Sequence, residues 1–534
     1  MGKIKRALIS VYNKSGVVDL AKVLKNEFNI EILSTGGTAK ILEQNGIEVI
    51  KVEDYIQTPE MFDGRVKTLH PKIEGGILMR QELSKDLQDA KKYGILPIDL
   101  VVCNLYPFWE AINNPRNTVK DNLEMIDIGG PTMIRSAAKN YYNVVVVSDP
   151  IQYPSIIEEL RLNNGDVSLE TRVKLAKSVF ETMAVYDGSI AEYLNRIINP
   201  SEKMPDFLFR AYKKVQNCRY GENWEQNAAY YRDLNAKVGL HNFEQLHGKE
   251  ISFNNYLDID ACVQLLLDFG TNEYLCAIFK HTNPNGVAID YKSQLEATKR
   301  ALSCDPLSAF GGIFGFNKIV EKETVEFLIN EKKMFIEVIV APDYEEDALK
   351  ILKSKKDLRI LIYKNMFEMK DLFFSRLEIR GTLGGALFQD YDCGPIIKTW
   401  DVKTTRNVTE SEKKALIFAY RVSKFAKSNS AVFAKEYDTG IYTIGIGSGQ
   451  QSRVHVVKLA AEKAKEFGHG EELIGSVMGT DSFFPFPDGL IAAADAGAKA
   501  IINPGGSIRD DLCIEEANKR NISLVFCGKR VFKH

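Results

Sequence analysis

Residues 274–286 read Tyr-Leu-Cys-Ala-Ile-Phe-Lys-His-Thr-Asn-Pro-Asn-Gly, and the larger part of the chain is arranged around them. The apolar run from Tyr274 to Phe279 predicts a buried strand. Pro284 and Gly286 are expected to break regular structure after it. In α/β proteins the chemistry usually lies beyond the carboxyl ends of strands, which makes the end of this run a candidate site.

Lys280 and His281 follow the run directly. Successive side chains of a strand point to opposite faces, so the two can serve one pocket only if the strand ends by about Phe279. His281 can then act as a general base near neutral pH, and Lys280 can hold an anion or favour the neutral imidazole. The alternative is a surface turn that happens to contain two polar residues.

Composition limits the classes of function. The chain has 534 residues, of which 45% are hydrophobic and 26% charged, so two or three soluble globular domains are expected. A net charge of −2 with interspersed signs gives no general field for nucleic acid or an acidic membrane. Any bound anion must therefore be held by a local site.

Targeting and redox signals are also weak. The start is basic, but the apolar stretch Ala7 to Ile9 is too short for a signal peptide, and no segment is long and apolar enough to span a bilayer. The eight cysteines are scattered without a C-x-x-C pair, which indicates reduced thiols of a cytoplasmic protein and makes zinc an unexpected ligand.

Strand and helix patterns alternate over the first two hundred residues and predict an α/β domain with a parallel sheet and helices on both faces. Predicted helices at 168–184 and 189–198 follow, and 199–205 has the composition of a linker. The alternating segments are 7–11, 17–25, 30–33, 38–44, 100–104, 135–140 and 144–147.

Two strand ends in this domain carry residues suited to phosphate. Residues 34–38 read Ser-Thr-Gly-Gly-Thr before a helical pattern, and residues 10–16 read Ser-Val-Tyr-Asn-Lys-Ser-Gly. Glycines let backbone N–H groups converge, and a helix N-terminus adds positive potential. A tight turn with an N-cap would explain either loop alone.

Three further segments, at 64–71, 103–108 and 127–132, contain reactive side chains. Pro131 suits the first position of a helix, on which Arg135 and Lys139 would share a face. Taken singly, the reactive residues have structural explanations. These are a solvated lysine for Lys67, a core-rim residue for Tyr106 and an N-terminal helix residue for Asp127.

Five motifs in the first part resemble the IMP cyclohydrolase domain of the bifunctional purine biosynthesis family. That resemblance implies a methylglyoxal-synthase-like fold for residues 1–199. The motifs are Ser-Val-Tyr-Asn-Lys-Ser-Gly at 10–16, Ser-Thr-Gly-Gly-Thr at 34–38, Gly-Arg-Val-Lys-Thr-Leu-His-Pro at 64–71, Cys-Asn-Leu-Tyr-Pro-Phe at 103–108 and Asp-Ile-Gly-Gly-Pro-Thr at 127–132.

The remainder, from about residue 205, resembles the AICAR transformylase of the same family. The resemblance implies that residues 200–534 form two cytidine-deaminase-like α/β subdomains. The H-x-E and P-C-x-x-C zinc signature of true deaminases is absent, so the fold is expected without its metal. The matching stretches are 218–223, 252–258, 280–284, 305–312, 427–430, 445–453, 481–488 and 504–510.

A dinucleotide-binding loop is a competing interpretation of Gly445-Ile446-Gly447-Ser448-Gly449. Gln450 stands where the third glycine of G-x-G-x-x-G belongs, so the pattern does not support an NAD-dependent oxidoreductase.

For the transformylase, the resemblance implies formyl transfer from 10-formyltetrahydrofolate to the amine of AICAR, giving formyl-AICAR and tetrahydrofolate, with no metal required. His281 would take the amine proton, while Lys280 and the Asn429 amide stabilise the formyl oxygen. Arg219, Lys427 and Arg530 would hold phosphate or the folate glutamate. The implied substrate-binding residues here are Arg219, Tyr220, Asn254, Phe310, Gly311, Gln450, Phe483, Asp488 and Arg530.

For the cyclohydrolase, the resemblance implies that the carboxamide nitrogen attacks the new formyl carbon and water leaves, giving IMP. Lys67 and Tyr106 would stabilise the formyl oxygen, and Asp127 with Lys139 would handle protons. Thr68 and Asn104 would position the base. The implied substrate-binding residues are Ser10, Lys14, Ser34, Thr35, Gly36, Gly37, Thr38, Arg65, Thr68 and Asn104.

The sequence departs from the family pattern at two places. Trp224-Glu225 replaces a Pro-His pair, and Glu74 stands where histidine is usual. A homodimer with transformylase sites at the subunit interface is what the resemblance implies. The alternatives are a transformylase whose N-terminal domain is a regulatory anion-binding module, and a non-catalytic nucleotide-binding protein.

Overall fold

The computed structural model describes residues 3–62 and 64–534 and divides into two compact units, Met1–Ala211 and Tyr212–His534. The division falls after Ala211 rather than after residue 199, and the expected linker at 199–205 contains no helix or strand. No helix among the described residues is long and apolar enough to cross a membrane.

The first unit is built on a parallel sheet with the strand order β3-β2-β1-β4-β5. Three of its strands consist mostly of Ala, Leu, Ile and Val and are almost entirely buried, as the alternation of strand and helix patterns predicts. The strands are β1 (Arg6–Ile9), β2 (Glu31–Ser34), β3 (Ile50–Lys51), β4 (Leu100–Val102) and β5 (Val145–Val147). The helices are α1 (Val17–Asn26), α2 (Gly36–Gln44), α3 (Val52–Ile56), α4 (Pro71–Leu78), α5 (Ser84–Tyr93), α6 (Phe108–Ile112), α7 (Val119–Glu124), α8 (Gly129–Lys139), α9 (Tyr153–Leu162) and α10 (Leu169–Ile198), with a 3₁₀ turn at Pro150–Gln152.

Two local predictions for this unit are corrected. The helices expected at 168–184 and 189–198 are one helix, α10, which continues through Gly188. A Cβ there would lie 3.3 Å from the Phe209 side chain, so this glycine allows close packing and does not end the helix. Pro131 occupies the third position of α8 instead of the first, still within the turn whose N–H groups have no helical partner.

The second unit contains a mixed sheet of twelve described strands and two separate hairpins, β6-β7 and β14-β15. The strands are β6 (Tyr212–Cys218), β7 (Ala228–Asp233), β8 (Glu244–His247), β9 (Tyr274–Lys280), β10 (Asn283–Asp290), β11 (Gly312–Phe316), β12 (Ile336–Ala341), β13 (Arg359–Ile362), β14 (Leu377–Thr382), β15 (Gly385–Asp390), β16 (Asp401–Val402), β17 (Ala431–Tyr437), β18 (Gly440–Gly447), β19 (Val477–Thr480), β20 (Ala500–Asn503) and β21 (Ser523–Phe526). The helices are α11 (Phe253–Phe269), α12 (Gln294–Cys304), α13 (Pro306–Ala309), α14 (Lys322–Glu326), α15 (Glu346–Lys353), α16 (Lys370–Phe374), α17 (Glu410–Ser423), α18 (Arg453–Glu466), α19 (Asp488–Ala496) and α20 (Asp510–Lys519), with a 3₁₀ turn at Leu240–Asn242 and a π-helical turn at Phe327–Glu331.

The large sheet is an internal repeat. One half has the order β10-β9-β11-β12-β13-β8, and the other has β18-β17-β19-β20-β21-β16. The pairings match one for one: antiparallel, antiparallel, parallel, parallel, antiparallel. The halves join where β10 pairs antiparallel with β18. The expected pair of α/β subdomains is therefore confirmed.

The prediction that Pro284 and Gly286 break regular structure is wrong. Both lie in β10, which pairs with β9 on one side and β18 on the other. A register shift between Pro284 and Gly286 accommodates the proline as a bulge. A Cβ at Gly286 would lie 1.9 Å from the Ala301 carbonyl oxygen, so α12 packs too closely for any larger residue.

Candidate active sites

The first unit contains a cavity of about 590 Å³ at the carboxyl ends of its strands. The sheet edge brings together loops that are distant in sequence, as parallel strands do. Eleven of the sequence-predicted residues line it: Ser10, Lys14, Thr35, Gly37, Thr38, Arg65, Lys67, Thr68, Asn104, Tyr106 and Asp127.

The loop at the start of α2 forms one wall. The Ser10 and Thr35 hydroxyls are hydrogen-bonded at 2.8 Å, and the Thr38 hydroxyl donates to the Val11 carbonyl at 3.1 Å. Because the first N–H groups of a helix have no intrahelical acceptor, that of Gly37, which lines the cavity, suits an anion.

Ser34 and Gly36 do not line this cavity. Ser34 is fully buried and donates to the Ile9 carbonyl at 2.8 Å, so its hydroxyl joins β1 to β2. Both residues line an adjacent depression of about 280 Å³, and Thr35 and Lys67 line the two cavities alike. The phosphate-type loop is therefore shared by two neighbouring openings.

Apart from the paired Arg65 and Glu124, the charged side chains that line the 590 Å³ cavity are Lys14, Glu60, Lys67 and Asp127. Burial lowers the pKa of Lys14, and the nearby Lys67 charge lowers it further. Burial raises the pKa of Asp127, while N–H groups of Gly130 and Tyr106 and the Lys67 charge act in the opposite direction. The Lys67 charge thus acts on both the other lysine and the carboxyl group of the cavity.

Two other predicted residues have partners that hold the cavity's shape. The Asn104 amide oxygen accepts from the N–H groups of Tyr12 and Asn13 at 2.7 and 2.8 Å. Arg65 pairs with Glu124, which also lines the cavity, so part of its charge is neutralised there.

The structure does not bring Lys139 to this cavity within one chain. Asp127 precedes α8, and Lys139 is the last residue of that helix, roughly 15 Å along its axis. Lys139 shares a face with Arg135, as the spacing predicts, but both line a separate groove with Val173 and Phe180. The expected Asp127–Lys139 pair is therefore absent within the described chain.

Glu74 lies outside the 590 Å³ cavity. It is half-buried on α4, where its Oε2 accepts from the Ser136 hydroxyl at 2.7 Å. Its Oε1 is buried with no hydrogen-bond partner among the described residues. Burial raises the pKa of Glu74, because the carboxylate has lost water without gaining a cation.

Glu74 should make stability depend on pH. Its pKa in the folded protein is raised above the unfolded value, so wild type should lose stability as pH rises from the unfolded pKa through the folded one. Glu74→Gln cannot ionise and should lack this loss. We expect the variant to gain stability relative to wild type as pH rises from 4 to 8. Thermal unfolding of both proteins across this range, with exposed Glu82→Gln as control, measures the difference.

In the second unit, β9 ends at Lys280, one residue later than expected, and His281-Thr282 forms a two-residue turn into β10. Both turn residues have positive φ, 51° and 62°. The Lys280 ammonium donates to the Phe310 carbonyl at 2.7 Å, and the His281 side chain is exposed. The strand does not run through Thr282, so the continuous strand that would send the two side chains to opposite faces does not occur.

Asn283 connects this turn to the loop that contains Asn429. Its Oδ1 accepts from the Lys427 N–H at 2.9 Å, and its Nδ2 donates to the His281 carbonyl at 2.9 Å. The loop is held in turn by Asp481, whose carboxylate accepts from the Ser428 hydroxyl and the Ser430 N–H. The two halves of the repeat thus meet at the turn.

The Asn429 side chain is already engaged. Its Nδ2 donates to the carbonyls of Gln450 and Gln451 at 2.8 and 3.0 Å, and its Oδ1 accepts from Arg453. Both amide N–H bonds are used, so in this structure Asn429 holds the loop after β18 and has no N–H left for a ligand.

Phe310 and Gly311 lie beside Lys280. Phe310 is 55% exposed, and its ring centroid lies 5.3 Å from that of Phe335. Asp305 fixes this segment: it caps α13 by accepting from the Ser308 N–H, and it pairs with Lys463 of α18 at 2.6 Å.

The remaining predicted residues form smaller groups. Arg219 lies 4.8 Å from the Tyr220 ring, and Asn254 donates to the Glu222 carbonyl at 3.4 Å.

Arg530 precedes Val531, whose N–H donates to the Asp481 carbonyl. Phe483 is half-buried, and Asp488 is exposed at the start of α19. Among the described residues no hydrogen bond joins Arg219, Tyr220 or Asp488 to Lys280 or His281.

The departure at Trp224-Glu225 lies on an exposed loop. Trp224 is 87% exposed, and the loop closes on itself through the Gly221 N–H and the Gln226 carbonyl at 2.8 Å. Neither residue contributes to the contacts around Lys280.

Sequence reasoning missed Asp258, Arg453 and Asp481 as members of this site. Asp258 accepts from the Thr282 N–H at 2.6 Å, and Arg453 and Asp481 are hydrogen-bonded at 3.1 Å. All three residues were within matched motifs, but only tertiary structure places them beside the turn and the Asn429 loop.

Comparison with known proteins gives two family matches. Residues 16–132 match the MGS-like domain, and residues 137–463 match the AICARFT/IMPCHase bienzyme. The bifunctional purine biosynthesis protein PurH of Caldicellulosiruptor saccharolyticus is 44% identical over 533 residues, covering 99% of this chain and 100% of that protein. The PurH proteins of Clostridium botulinum and Acidithiobacillus ferrooxidans are also 44% identical, covering 99% and 100% of this chain and 100% of each relative. A solved structure described as "Crystal structure of ForH" is 36% identical, covers 36% of this chain and 97% of that chain, and has a TM-score of 0.34.

Proposed function

Because the chain belongs to the AICARFT/IMPCHase bienzyme family, we propose that its two units divide the two reactions, the second transferring the formyl group and the first closing the ring. The chain is a bifunctional AICAR formyltransferase and IMP cyclohydrolase of purine biosynthesis. Support for the division comes from the two separate clusters, one around Lys67 and one around Lys280. The residue boundary is that of the compact units, Met1–Ala211 and Tyr212–His534.

Formyl transfer begins with the AICAR amine attacking the formyl carbon of the folate. Neutral His281 takes the amine proton, because the conjugated amine is a weak nucleophile that gains acidity as the bond forms. The formyl oxygen becomes an oxyanion beside Lys280. One Lys280 N–H is fixed on the Phe310 carbonyl, which leaves two further N–H bonds for this oxygen. The intermediate then expels the folate nitrogen, which recovers a proton.

We assign Asn429 a positioning role in this step, since both its N–H bonds hold the Gln450–Gln451 backbone. The formyl donor we propose is 10-formyltetrahydrofolate, with Phe310, Gly311, Phe483 and Asp488 as its ring contacts. Arg219, Tyr220, Asn254, Gln450 and Arg530 are the proposed contacts to nucleotide or folate. The ammonium at Lys280 supplies the positive charge the oxyanion needs, so we write the step without a metal.

Ring closure joins the carboxamide nitrogen to the new formyl carbon and releases water. Lys67 and Tyr106 stabilise the formyl oxygen as it leaves, and Asp127 exchanges the proton of the carboxamide nitrogen. Lys14, Thr35, Gly37 and Thr38 with the start of α2 bind the phosphate. The raised pKa of Asp127 fits a group that both accepts and returns a proton.

We further propose that the protein is a cytoplasmic homodimer. The groove containing Lys139 has an apolar rim, with Val173 and Phe180 44% and 50% exposed, which a second copy would cover. In that arrangement Lys139 reaches a cyclohydrolase site only by crossing to the partner subunit. Sedimentation of the purified chain measures the oligomeric state, and a monomer at assay concentration would contradict the proposal.

An assay with AICAR and 10-formyltetrahydrofolate tests the assignment in the full chain. Tetrahydrofolate should appear first and IMP should follow, with formyl-AICAR as a transient. Accumulation of formyl-AICAR without IMP would mean that the first unit is an anion-binding module. Absence of turnover with either substrate would indicate a non-catalytic protein that only binds nucleotide.

A further inference from the structure

The turn that presents His281 is disfavoured by its own residues. Two-residue hairpin turns with positive φ at both positions favour Asn-Gly, because side chains with a Cβ crowd the backbone there. Here the positions hold histidine and the β-branched threonine, with φ of 51° and 62°. Such a conformation persists only where surrounding contacts hold it.

Asp258 supplies contacts on the N–H side of the turn. This residue lies on α11, and its Oδ1 accepts from the Thr282 N–H at 2.6 Å. The carboxylate also accepts from the His281 backbone N–H, and the charges of His281 and Lys280 act on it. Two successive N–H groups directed at one carboxylate form an anion-binding nest, which fixes the backbone of both residues.

The carbonyl side of the turn is held by neutral groups. The His281 carbonyl accepts from the Thr282 hydroxyl at 2.7 Å and from the Asn283 amide at 2.9 Å. Asp258 is therefore the charged contact of the turn, and charge-assisted hydrogen bonds are the stronger ones. Burial raises the pKa of Asp258, which reflects how little water competes with the turn for its oxygens.

We propose that Asp258 is a positioning residue for formyl transfer, whose carboxylate holds the His281-Thr282 turn in its left-handed conformation and so places the Lys280 and His281 side chains at one site. This inference rests on the proposed roles of Lys280 and His281. A glycine at position 282 would form the same turn without strain. The turn could then form without the Asp258 contact.

Variants of the full chain distinguish a role of Asp258 in holding the turn from other roles of this residue. Asp258→Ala should lower the transformylase kcat by about 100-fold, since misplacing reacting groups by about 1 Å costs that much. The KM for AICAR should change little, and ring closure in the first unit should keep its rate. Asp258→Asn keeps an oxygen acceptor and should recover part of the activity.

The decisive variant is Asp258→Ala combined with Thr282→Gly. Because glycine adopts positive φ at no steric cost, the double variant should regain about tenfold of the lost kcat. Thr282→Gly alone completes the double-mutant cycle and gives the kcat with which the double variant is compared. Asp260→Ala is the matched control: it lies two residues along α11, bonds to Gln264 and Arg376, and should leave kcat unchanged.

The inference is overturned if Asp258→Ala keeps the wild-type kcat, or if the double variant is no faster than Asp258→Ala. Should Asp258→Ala fail to fold, judged by its melting temperature, the Asp258→Asn pair with and without Thr282→Gly decides in the same way. Lys280→Met distinguishes failure of the proposed function from failure of the proposed role of Asp258. A fully active Lys280→Met would refute the proposed function, whereas an inactive Lys280→Met beside an active Asp258→Ala refutes this inference alone.

Discussion

Lys280→Met should reduce formyl transfer by at least about 100-fold while ring closure of supplied formyl-AICAR continues at the wild-type rate. Methionine keeps most of the length and the apolar stem of lysine but removes the charge that we propose stabilises the formyl oxygen. The KM for AICAR should change less than kcat, because the oxyanion exists only after attack. Tetrahydrofolate release with both substrates, and IMP release from formyl-AICAR, measure the two steps separately.

Lys292→Met is the control for this variant. Lys292 follows β10 at the opposite end of the same hairpin and is exposed. It should leave both activities unchanged. Loss of both steps in Lys280→Met, with an unchanged melting temperature, would contradict the division of reactions between two sites.

The hairpin shows which parts of the site the sequence could predict. The strand from Tyr274 was predictable because its apolar run must be buried, and the structure confirms it. The continuation after the turn was misjudged because Pro284 and Gly286 suggest a break, whereas pairing with β9 places both inside β10 and the close approach of α12 requires glycine at 286. Those are tertiary causes with no local signal.

In helix α8, by contrast, the helical spacing predicted the structure better than the family resemblance did. Four-residue spacing predicted that Arg135 and Lys139 share a face, and they line one groove. The same regularity places Lys139 far from Asp127, so the resemblance and the helix geometry conflict within one chain. A family resemblance identifies which residues belong to a site. It does not show whether each residue acts in its own chain or in another copy of the chain.

The internal repeat explains why the residues proposed for formyl transfer lie so far apart in sequence. In the second half the turn between β17 and β18, Asp438-Thr439, corresponds to His281-Thr282. It lies at the opposite end of the sheet, where Asp290 pairs with Gly440. The second half contributes the Asn429 loop instead, so the duplicated fold supplies two different elements to one site.

Lys67→Met should abolish the other reaction, lowering ring closure by about 100-fold or more and causing formyl-AICAR to accumulate when AICAR and formyl folate are supplied. Lys67 lines the 590 Å³ cavity with Tyr106 and Asp127, and we propose that it stabilises there the oxygen that leaves as water. Formyl transfer should continue, since the Lys280 cluster is in the other unit. Lys51→Met, which lines only the adjacent depression, should close the ring at the wild-type rate.

The pH dependence of the residual reaction identifies the group that Lys67 influences. The Lys67 charge is one of the causes that lower the pKa of Asp127 against the larger effect of burial. Removing that charge disfavours the carboxylate, so its pKa should rise further and the acidic limb of ring closure should move to higher pH. Asp127→Asn cannot titrate and should lose that limb while retaining formyl transfer. If the limb in Lys67→Met moved to lower pH, or survived in Asp127→Asn, Asp127 would not be the proton-exchanging group, and the acid limb would belong to another residue of the cavity.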